Sequence, residues 1–495
     1  MTRSDILTDR ATTYTPKARD TALAAFLAEQ PAYAHATHVD EVRAREFSRL
    51  DRLGHVYLDF TGGGLYAESQ IRRHAELLVS SVLGNPHSHN PTSLASTELV
   101  EHTRATVLEF FSADPAEYDV VFTANASGAL KLVGESYPFC SGGRYLLTYD
   151  NHNSVNGIRE FARSAGASVT YLPVGDPELR LDCAMVSEEL ERANPAHDNL
   201  FAYPAQSNFS GVQHPVEWVA EAHERGWHVL LDCAAFAPTN RLDLSAVKPD
   251  FVPLSFYKMF GYPTGVGALI ARREALAKLH RPWFAGGTIT LASVQGDGWH
   301  HLAPGHVGFE DGTVDYLGLP AVGYGLEFVN SVGIDAIHHR VVALTAWLLD
   351  AMRALTHSDG NPMVRIFGPA DTLDRGATVA FYLLDPTGRP YDVDRMERLA
   401  GRVGISLRTG CFCNPGDGEV AHHITPDDMA ECFVGQQSPV TFTECHDIIR
   451  DATGKMPNTM RVSLGLASNF ADVYAFMAFA ESFGDLAGSD LPLVG

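Results

Sequence analysis

The chain has little positive charge and no long apolar run. Its 495 residues include 37 Lys and Arg against 60 Asp and Glu, a formal net charge of −23. Nucleic acids and anionic membranes are bound through clustered Lys and Arg, so this balance argues against both as the main partner. No apolar run approaches the roughly 18 residues of a membrane span, and the first ten residues contain no stretch typical of a signal peptide. We therefore expect a cytoplasmic protein.

Cysteine is also scarce, with seven residues in the whole chain. Structural disulfides are not expected in a large cytoplasmic protein, so most of these thiols are predicted to be small buried apolar groups. Cys411 and Cys413 differ, because they lie in the polar, glycine-containing stretch Arg408-Thr-Gly-Cys-Phe-Cys-Asn-Pro-Gly416. Its composition predicts a mobile, accessible loop in which a thiol can react.

The sequence lacks repeats and low-complexity segments, and from Val56 onward it alternates between strand and helix patterns. Short apolar runs predict strands at 120–123, 145–148, 169–172, 200–203, 229–232, 251–254 and 266–270. Helical patterns separate most of them, for example at 154–165 and 216–225. This alternation predicts an α/β fold with a mostly parallel sheet that helices cover on both faces.

The pattern changes in the last third of the chain. A long helical pattern at 334–355 is followed by strands near 364–367 and 378–383 and by helices near 393–402 and from about 470. That order is typical of a smaller α+β domain. We predict an N-terminal segment (1–55), a large domain (56–330) and a small C-terminal domain (331–495). Residues 417–458 show no clear period and are interpreted as irregular.

Three features together indicate one cofactor. Lys258 follows an apolar strand among aromatic residues, a setting that lowers the pKa of an amine and makes it nucleophilic. Asp232 ends another apolar strand, and such carboxylates face the ligand crevice of a parallel sheet. Around Ser127 the sequence predicts a strand, a turn of small residues and a helix start, which together form a phosphate cup. An aldehyde-capturing amine, a partner for a ring nitrogen and a phosphate anchor are what pyridoxal phosphate requires.

Longer motifs carry a resemblance to a known family. They are Tyr57-Leu-Asp-Phe-Thr-Gly-Gly-Gly-Leu-Tyr66, Asn85-Pro-His-Ser88, Asp150-Asn-His-Asn-Ser-Val155, Ser255-Phe-Tyr-Lys-Met-Phe-Gly261, Leu407-Arg-Thr-Gly-Cys-Phe-Cys-Asn-Pro-Gly416 and Arg461-Val-Ser-Leu-Gly465. From about Val56 to Ala480 the chain resembles class V, fold type I pyridoxal-phosphate enzymes, and among them the cysteine desulfurase domain of molybdenum cofactor sulfurases. The resemblance implies a fold type I homodimer that binds pyridoxal 5′-phosphate.

The resemblance also implies a role for each residue of the predicted site. By this resemblance, Lys258 forms the Schiff base with the cofactor, Asp232 pairs with the pyridinium nitrogen and His152 stacks on the ring. Asn208 bonds the ring hydroxyl, and the phosphate is held by Ala126, Ser127 and Ser255. Thr313 reaches the phosphate of the neighbouring subunit, and Arg461 binds the substrate carboxylate. Simpler alternatives stay open for three of them. His152 also suits a helix cap, Asn208 an Asx-turn and Arg461 a surface ion pair.

The same resemblance assigns chemistry to the cysteine loop. Aligned on Arg-x-Gly-x-x-Cys, Cys413 attacks the sulfur of substrate cysteine and leaves alanine and an enzyme persulfide, with Cys411 as a candidate second thiol. One alternative is a metal site of Cys411 and Cys413 with Cys432 and Cys445, although the Cys-x-Cys spacing disfavours zinc. The other is that both thiols are inert in an enzyme that uses the cofactor for a different reaction.

The predicted function is therefore that of a cysteine desulfurase-type lyase that converts L-cysteine to L-alanine. The alternative is a lyase or decarboxylating carbon–carbon bond-forming enzyme that acts on another amino acid, such as L-aspartate, through an enamine. A catalytically silent scaffold that binds sulfur-carrier partners is a third hypothesis, which intact Lys258 and Asp232 disfavour. The resembled sulfurases carry a further C-terminal domain, whereas this chain ends at Gly495. We therefore expect a separate sulfur-acceptor protein or a second small-molecule substrate.

Overall fold

Strands and helices alternate along most of the chain in the computed structural model, which describes residues 13–296, 298–433 and 440–491. The strands are β1 (Val56–Tyr57), β2 (Tyr118–Thr123), β3 (Arg144–Thr148), β4 (Ser168–Leu172), β5 (Val174–Gly175), β6 (Arg180–Leu181), β7 (Asn199–Pro204), β8 (His228–Asp232), β9 (Phe251–Ser255), β10 (Gly267–Arg272), β11 (Ile289–Ala292), β12 (His300–Leu302), β13 (Val364–Phe367), β14 (Thr378–Leu383), β15 (Ile405–Ser406), β16 (Arg408–Gly410) and β17 (Thr459–Ser463).

The α-helices are α1 (Pro16–Glu29), α2 (Pro31–His35), α3 (His38–Glu46), α4 (Arg49–Leu53), α5 (Glu68–Ser80), α6 (Pro91–Phe110), α7 (Ala126–Ser136), α8 (Asn153–Asn156), α9 (Ile158–Ser164), α10 (Cys183–Leu190), α11 (Trp218–Glu224), α12 (Phe256–Phe260), α13 (Arg273–Leu276), α14 (Leu319–Val332), α15 (Ile334–Ala354), α16 (Val393–Arg402), α17 (Pro415–Ala421), α18 (Pro426–Phe433), α19 (Phe442–Thr453) and α20 (Phe470–Glu481). Short 3₁₀ turns span Gly305–Phe309 and Gly488–Asp490.

The central sheet has seven strands in the order β2-β10-β9-β8-β7-β3-β4. Strand β10 runs antiparallel to both of its neighbours, and the strands from β9 to β4 run parallel to one another. All of the strands predicted from apolar runs between residues 120 and 270 are present in it. The prediction of an α/β fold with a mostly parallel sheet is therefore confirmed.

Both faces of this sheet are buried over most of its area, which explains why most positions of its strands are apolar. Along β7, Phe201 and Tyr203 face one hydrophobic core, and Leu200 and Ala202 face another. Helices α7 and α9 pack into the second core. Because β7, β8 and β9 are parallel, the residues that follow their carboxyl ends meet at one edge of the sheet.

A second, antiparallel sheet has the order β13-β14-β17-β16, and β15 near it pairs in parallel with β1. The N-terminal helices pack against the last third of the chain: Phe26 stacks on Phe470 with ring centroids 4.9 Å apart, and Arg43 contacts Asp472 at 3.1 Å. The division at residues 55 and 330 stays a prediction.

Two long apolar helices, α14 and α15, meet at Gly333. Their side chains, such as Leu326 and Leu344, belong to the larger hydrophobic core. No single helix within the described ranges is long and apolar enough to cross a membrane, and these two pass that test only as a pair bent by 68°.

Within the segment 417–458, residues 434–439 lie outside the described part of the chain. The other residues of this segment are mostly helical, so the interpretation as irregular was wrong for them. They contribute most of α17 and all of α18 and α19. Each helix is short, and α19 begins with a capping box in which Thr441 and Glu444 bond each other's backbone N–H groups. A disulfide between Cys432 and Cys445 joins α18 to α19. The expectation of a chain without structural disulfides was therefore wrong as well.

Two further expectations need correction. Among the free cysteines, only Cys233 is buried, since Cys183 and Cys413 are exposed and the other two are intermediate. The helix expected at 154–165 is two helices, because the chain turns at Gly157 between α8 and α9.

Candidate functional site

A cavity of about 170 Å³ opens at the carboxyl edge of the central sheet. Its lining includes Ala126, Ser127, His152, Asn208, Asp232, Ser255 and Lys258. These are most of the residues that the sequence assigns to cofactor binding. They come from the ends of β8 and β9, the start of α7, and the loops after β3 and β7, which the parallel topology brings to this edge.

Lys258 lies in α12, directly after β9, and is half-buried in this cavity. In the described part of the chain its amine has neither a hydrogen-bond partner nor an ion pair. Burial lowers the pKa of Lys258 below its ordinary value of 10.5, and Arg461 lowers it further, while Asp232 and Cys413 act in the opposite direction. The neutral, nucleophilic form of the amine is thus favoured.

Asp232 is the last residue of β8 and is only 7% exposed. One carboxylate oxygen accepts a hydrogen bond from the Ala234 N–H at 3.0 Å. No cation among the described residues pairs with this carboxylate, and it lies close enough to act on the pKa of Lys258 and of His152. A buried carboxylate of this kind can hold a proton on a bound base.

The start of α7 forms the predicted phosphate cup. Asn125 caps the helix by accepting from the Gly128 N–H, and the Ala126 N–H donates to the Ser255 Oγ at 2.9 Å. The hydroxyl of Ser127 bonds that of Ser154 at 2.6 Å. Gly267 on β10 leaves room for this turn, since a Cβ there would lie 2.5 Å from the Asn125 Cα. The helix N-terminus and hydroxyl groups suit a phosphate anion.

His152 both lines the cavity and caps a helix. Its Nδ1 accepts from the Ser154 N–H at 3.1 Å at the start of α8, so the neutral ring carries its proton on Nε2. Burial lowers the pKa of His152, and the charge of Lys258 adds to this effect. The capping alternative is therefore correct, and stacking on a cofactor ring stays a prediction.

Asn208 links the cavity to the cysteine loop. Its Nδ2 donates to the Phe412 oxygen at 2.7 Å, and its Oδ1 accepts from Asn414 at 3.1 Å. Its backbone oxygen accepts from Arg461 at 2.8 Å. The predicted bond to a ring hydroxyl is not tested by these contacts.

Arg461 lies on β17 and is 2% exposed. Its guanidinium contacts Asp59 at 3.1 Å and lies 4.4 Å from the centre of the Phe412 ring. Burial lowers the pKa of Arg461 to about 10. The alternative of an ion pair is correct, but the pair is buried rather than on the surface. Its Nε is buried and has no hydrogen-bond partner in the described ranges.

Sequence reasoning missed Asp59, which also accepts from Arg408 at 2.6 Å and so lies between two guanidinium groups. A signal was present: Asp59 follows the short apolar strand β1, as Asp232 follows β8.

Cys413 is exposed, and the loop that carries it borders the cavity, because the oxygen of the preceding residue, Phe412, accepts from the lining residue Asn208 at 2.7 Å. Cys411 is half-buried, and burial raises the pKa of its thiol. The loop is anchored rather than free, since the Cys413 oxygen accepts from the Asn153 N–H at 2.7 Å.

The four-cysteine metal site is wrong, because Cys432 and Cys445 are bonded to each other. Moreover, the described residues contain no group of three or more His, Cys, Asp or Glu side chains that could hold a metal ion.

Thr313 is the one predicted cofactor residue outside this cavity. It is exposed, lines a separate surface cavity with Thr123 and Lys131, and accepts from the Asn85 Nδ2 at 3.4 Å. Its proposed contact with the phosphate of a neighbouring subunit stays a prediction.

Comparison with known proteins places the chain in a family. Residues 56–476 match the aminotransferase class-V family model. The chain is 36% identical to molybdenum cofactor sulfurase from Solanum lycopersicum over 474 residues, which cover 90% of this chain and 57% of the relative. It thus spans little more than half the length of that relative.

Solved structures share the fold. The apo cysteine desulfurase of Thermococcus onnurineus NA1 superposes with a TM-score of 0.72 at 22% identity, over 89% of this chain and 97% of that one. A variant of C-DES with glycine covalently linked to its PLP cofactor superposes with a TM-score of 0.65 at 17% identity, over 89% and 99%. With most of its length matched by the family model, the chain belongs to the aminotransferase class V family.

Proposed function

We propose that this chain is a pyridoxal-phosphate-dependent cysteine desulfurase. The observation that carries the proposal is the position of Cys413, an exposed thiol beside a cavity with an unpaired Lys258 amine and a buried Asp232 carboxylate. The similarity to a sulfurase from Solanum lycopersicum and the shared fold with a cysteine desulfurase support it.

The cavity residues fit the cofactor on chemical grounds. Lys258 offers an amine without a partner, Asp232 offers a buried carboxylate without a cation, and the start of α7 offers N–H and hydroxyl donors to a phosphate. When bound, pyridoxal phosphate supplies an electron-withdrawing ring that stabilises negative charge on the α-carbon of an amino acid. The carboxylate of Asp232 keeps the ring nitrogen protonated, and the amine of Lys258 moves the proton at the α-carbon.

The loop thiol accounts for the sulfur chemistry. The thiolate of Cys413 attacks the substrate sulfur, so a sulfur–sulfur bond forms on the enzyme as the carbon–sulfur bond of L-cysteine breaks. The sulfur remains as a persulfide on Cys413, and the carbon skeleton takes up a proton and leaves as L-alanine. The guanidinium of Arg461, which donates to the backbone oxygen of the lining residue Asn208, is proposed to bind the substrate carboxylate.

The test is to supply purified holoenzyme with L-cysteine or L-aspartate separately and to measure alanine, sulfane sulfur and carbon dioxide. We expect alanine and sulfane sulfur in equal amounts from L-cysteine and no carbon dioxide from L-aspartate. A Cys183→Ser variant, which removes an exposed thiol outside the cavity lining, is the control and should behave as wild type. Carbon dioxide from L-aspartate without sulfur release from L-cysteine would favour the alternative carbon–carbon chemistry.

We also propose that the active form is a homodimer. Thr313 is exposed and lies outside the cavity that holds the phosphate cup of its own chain. Its predicted contact with a cofactor phosphate would therefore be made to the cofactor of the neighbouring subunit. The sulfur acceptor is proposed to be another protein or a small thiol. The cytoplasmic location stays a prediction.

A charge-specific role of Asp232 predicts a large effect of Asp232→Asn, which keeps the shape of the side chain. We expect kcat for L-cysteine to fall by about 10²- to 10³-fold, since charge stabilisation of this kind is worth roughly 3–4 kcal/mol. Cofactor content and the circular dichroism spectrum should stay near wild type. Asp394→Asn, which removes an exposed carboxylate on α16, controls for net charge. A near-normal kcat in Asp232→Asn would show that this carboxylate is not the ring partner.

A further inference from the structure

The loop that carries Cys413 has a backbone conformation that its own residues disfavour. Phe412 and Cys413 both have φ of 56°, in the left-handed region that residues other than glycine rarely adopt. Two consecutive residues of this kind persist only where surrounding contacts fix them. The contacts that fix this loop therefore decide where the Cys413 thiol lies.

The most extensive of these contacts come from Asn414, which is 0% exposed. Its Nδ2 donates to the Asp150 backbone oxygen at 2.9 Å and to the Asn208 Oδ1 at 3.1 Å. Asn208 in turn donates its own Nδ2 to the Phe412 oxygen at 2.7 Å. The carboxamide of Asn414 thus ties the loop to the segments after β3 and β7, where the cavity is built.

A buried pair of side chains, Ser207 and Asp417, also contacts Asn414. Ser207 and Asp417 are both 0% exposed, and the Ser207 Oγ donates to the Asp417 Oδ2 at 2.6 Å. That carboxyl oxygen lies 3.3 Å from the Asn414 Nδ2. Surrounded in this way, the carboxamide has little freedom to take another rotamer.

We propose that Asn414 is a positioning residue for sulfur transfer, whose buried carboxamide holds the loop so that Cys413 stays beside the cavity that contains Lys258. This inference rests on the proposed function and deepens it. The side chain has a second, purely structural contact, since its Oδ1 accepts from the Asp417 N–H at 3.2 Å and caps α17. Different atoms make the two sets of contacts, so substitution can separate them.

Asn414→Ser makes this separation. Serine caps helices about as well as asparagine, but its short hydroxyl cannot reach both Asp150 and Asn208. We expect cofactor absorbance, borohydride fixation of the cofactor to Lys258, and KM for L-cysteine to stay near wild type. Single-turnover formation of the Cys413 persulfide, followed by rapid quench and mass spectrometry, should slow by at least about tenfold, because small misplacements of a reacting atom carry large rate costs.

A second variant and a matched control sharpen the test. Asn414→Thr also keeps a capping hydroxyl but, like serine, is too short to reach both Asp150 and Asn208, so the same kinetic defect is expected. Asn90 caps α6 through the Ser93 N–H at 3.0 Å and, like Asn414, precedes a proline. Asn90→Ser should leave persulfide formation unchanged.

The outcomes are distinguishable. Persulfide formation at the wild-type rate in both Asn414 variants would overturn the proposal. Loss of the cofactor from both would overturn it too, since the role would then be structural. Failure of the wild-type enzyme to form any persulfide on Cys413 would instead refute the proposed desulfurase function on which it rests.

Discussion

Lys258→Ala is expected to abolish turnover of L-cysteine while leaving the fold intact. The variant loses the amine that captures the cofactor and the group that moves the proton at the α-carbon, so kcat should fall by at least about 10⁴-fold. The fold should survive, because the amine makes no hydrogen bond or ion pair with any described residue. Borohydride treatment of the wild-type holoenzyme, followed by peptide mapping, should find the cofactor fixed to Lys258.

A control and a contradicting result follow directly. Lys248→Ala removes a solvent-exposed lysine that pairs with Glu117, and it should leave turnover unchanged. If mapping places the reduced cofactor on another lysine, or if Lys258→Ala keeps appreciable activity, the assignment of this cavity is wrong.

The same substitution has a consequence for stability that does not depend on the cofactor. Burial lowers the pKa of Lys258 in the folded chain below its ordinary value of 10.5, so the folded chain binds fewer protons than the unfolded chain between those two values. The free energy of unfolding contributed by this group therefore rises with pH over that interval. Urea unfolding of cofactor-free protein at several pH values should show a smaller rise in Lys258→Ala than in wild type.

The central sheet and its strand-end residues were predictable because their signals are local. Strands buried on both faces are apolar along their central positions, as residues 200–203 of β7 and 229–231 of β8 are, and the side chains at the carboxyl ends of parallel strands share one edge. Lys258 and Asp232 could therefore be assigned to one site from the sequence alone.

Long-range pairs were not predictable in the same way. Asp59 meets Arg408 and Arg461 across 349 and 402 residues of sequence, and Asn208 meets Phe412 across 204. Nothing in the local pattern of either partner specifies such contacts. The short helices between residues 417 and 458 were not predicted for a related reason. Short helices take most of their stability from packing against other elements, and here the Cys432–Cys445 disulfide adds to it.

These long-range contacts fix the position of the cysteine loop beside the cavity. A thiol on a mobile loop would lie close to the substrate sulfur for only part of the time. This loop is instead held in place by hydrogen bonds of Asn153, Asn208 and Asn414. A fixed thiol has a higher effective concentration at the reacting sulfur. The substitution of Cys413 itself is therefore the decisive test of what the site does.

Cys413→Ala should still bind the cofactor and show the wild-type spectral change on addition of L-cysteine, because neither event uses the thiol. It should release no sulfide, and mass spectrometry should find no persulfide. Loss of the nucleophile is expected to lower sulfur release by at least about 10³-fold. Cys413→Ser, which keeps nearly the same volume, should be equally inactive, since a hydroxyl is a poor acceptor of sulfur.

Cys411→Ala is the matched control, since it removes the other thiol of the same loop. It should retain the persulfide, because the exposed thiol of this loop is that of Cys413, whereas Cys411 is half-buried. Turnover of the natural substrate at the wild-type rate by Cys413→Ala would contradict the desulfurase proposal. The cavity would then serve another amino acid whose chemistry needs the Lys258 amine and the Asp232 carboxylate but no sulfur acceptor.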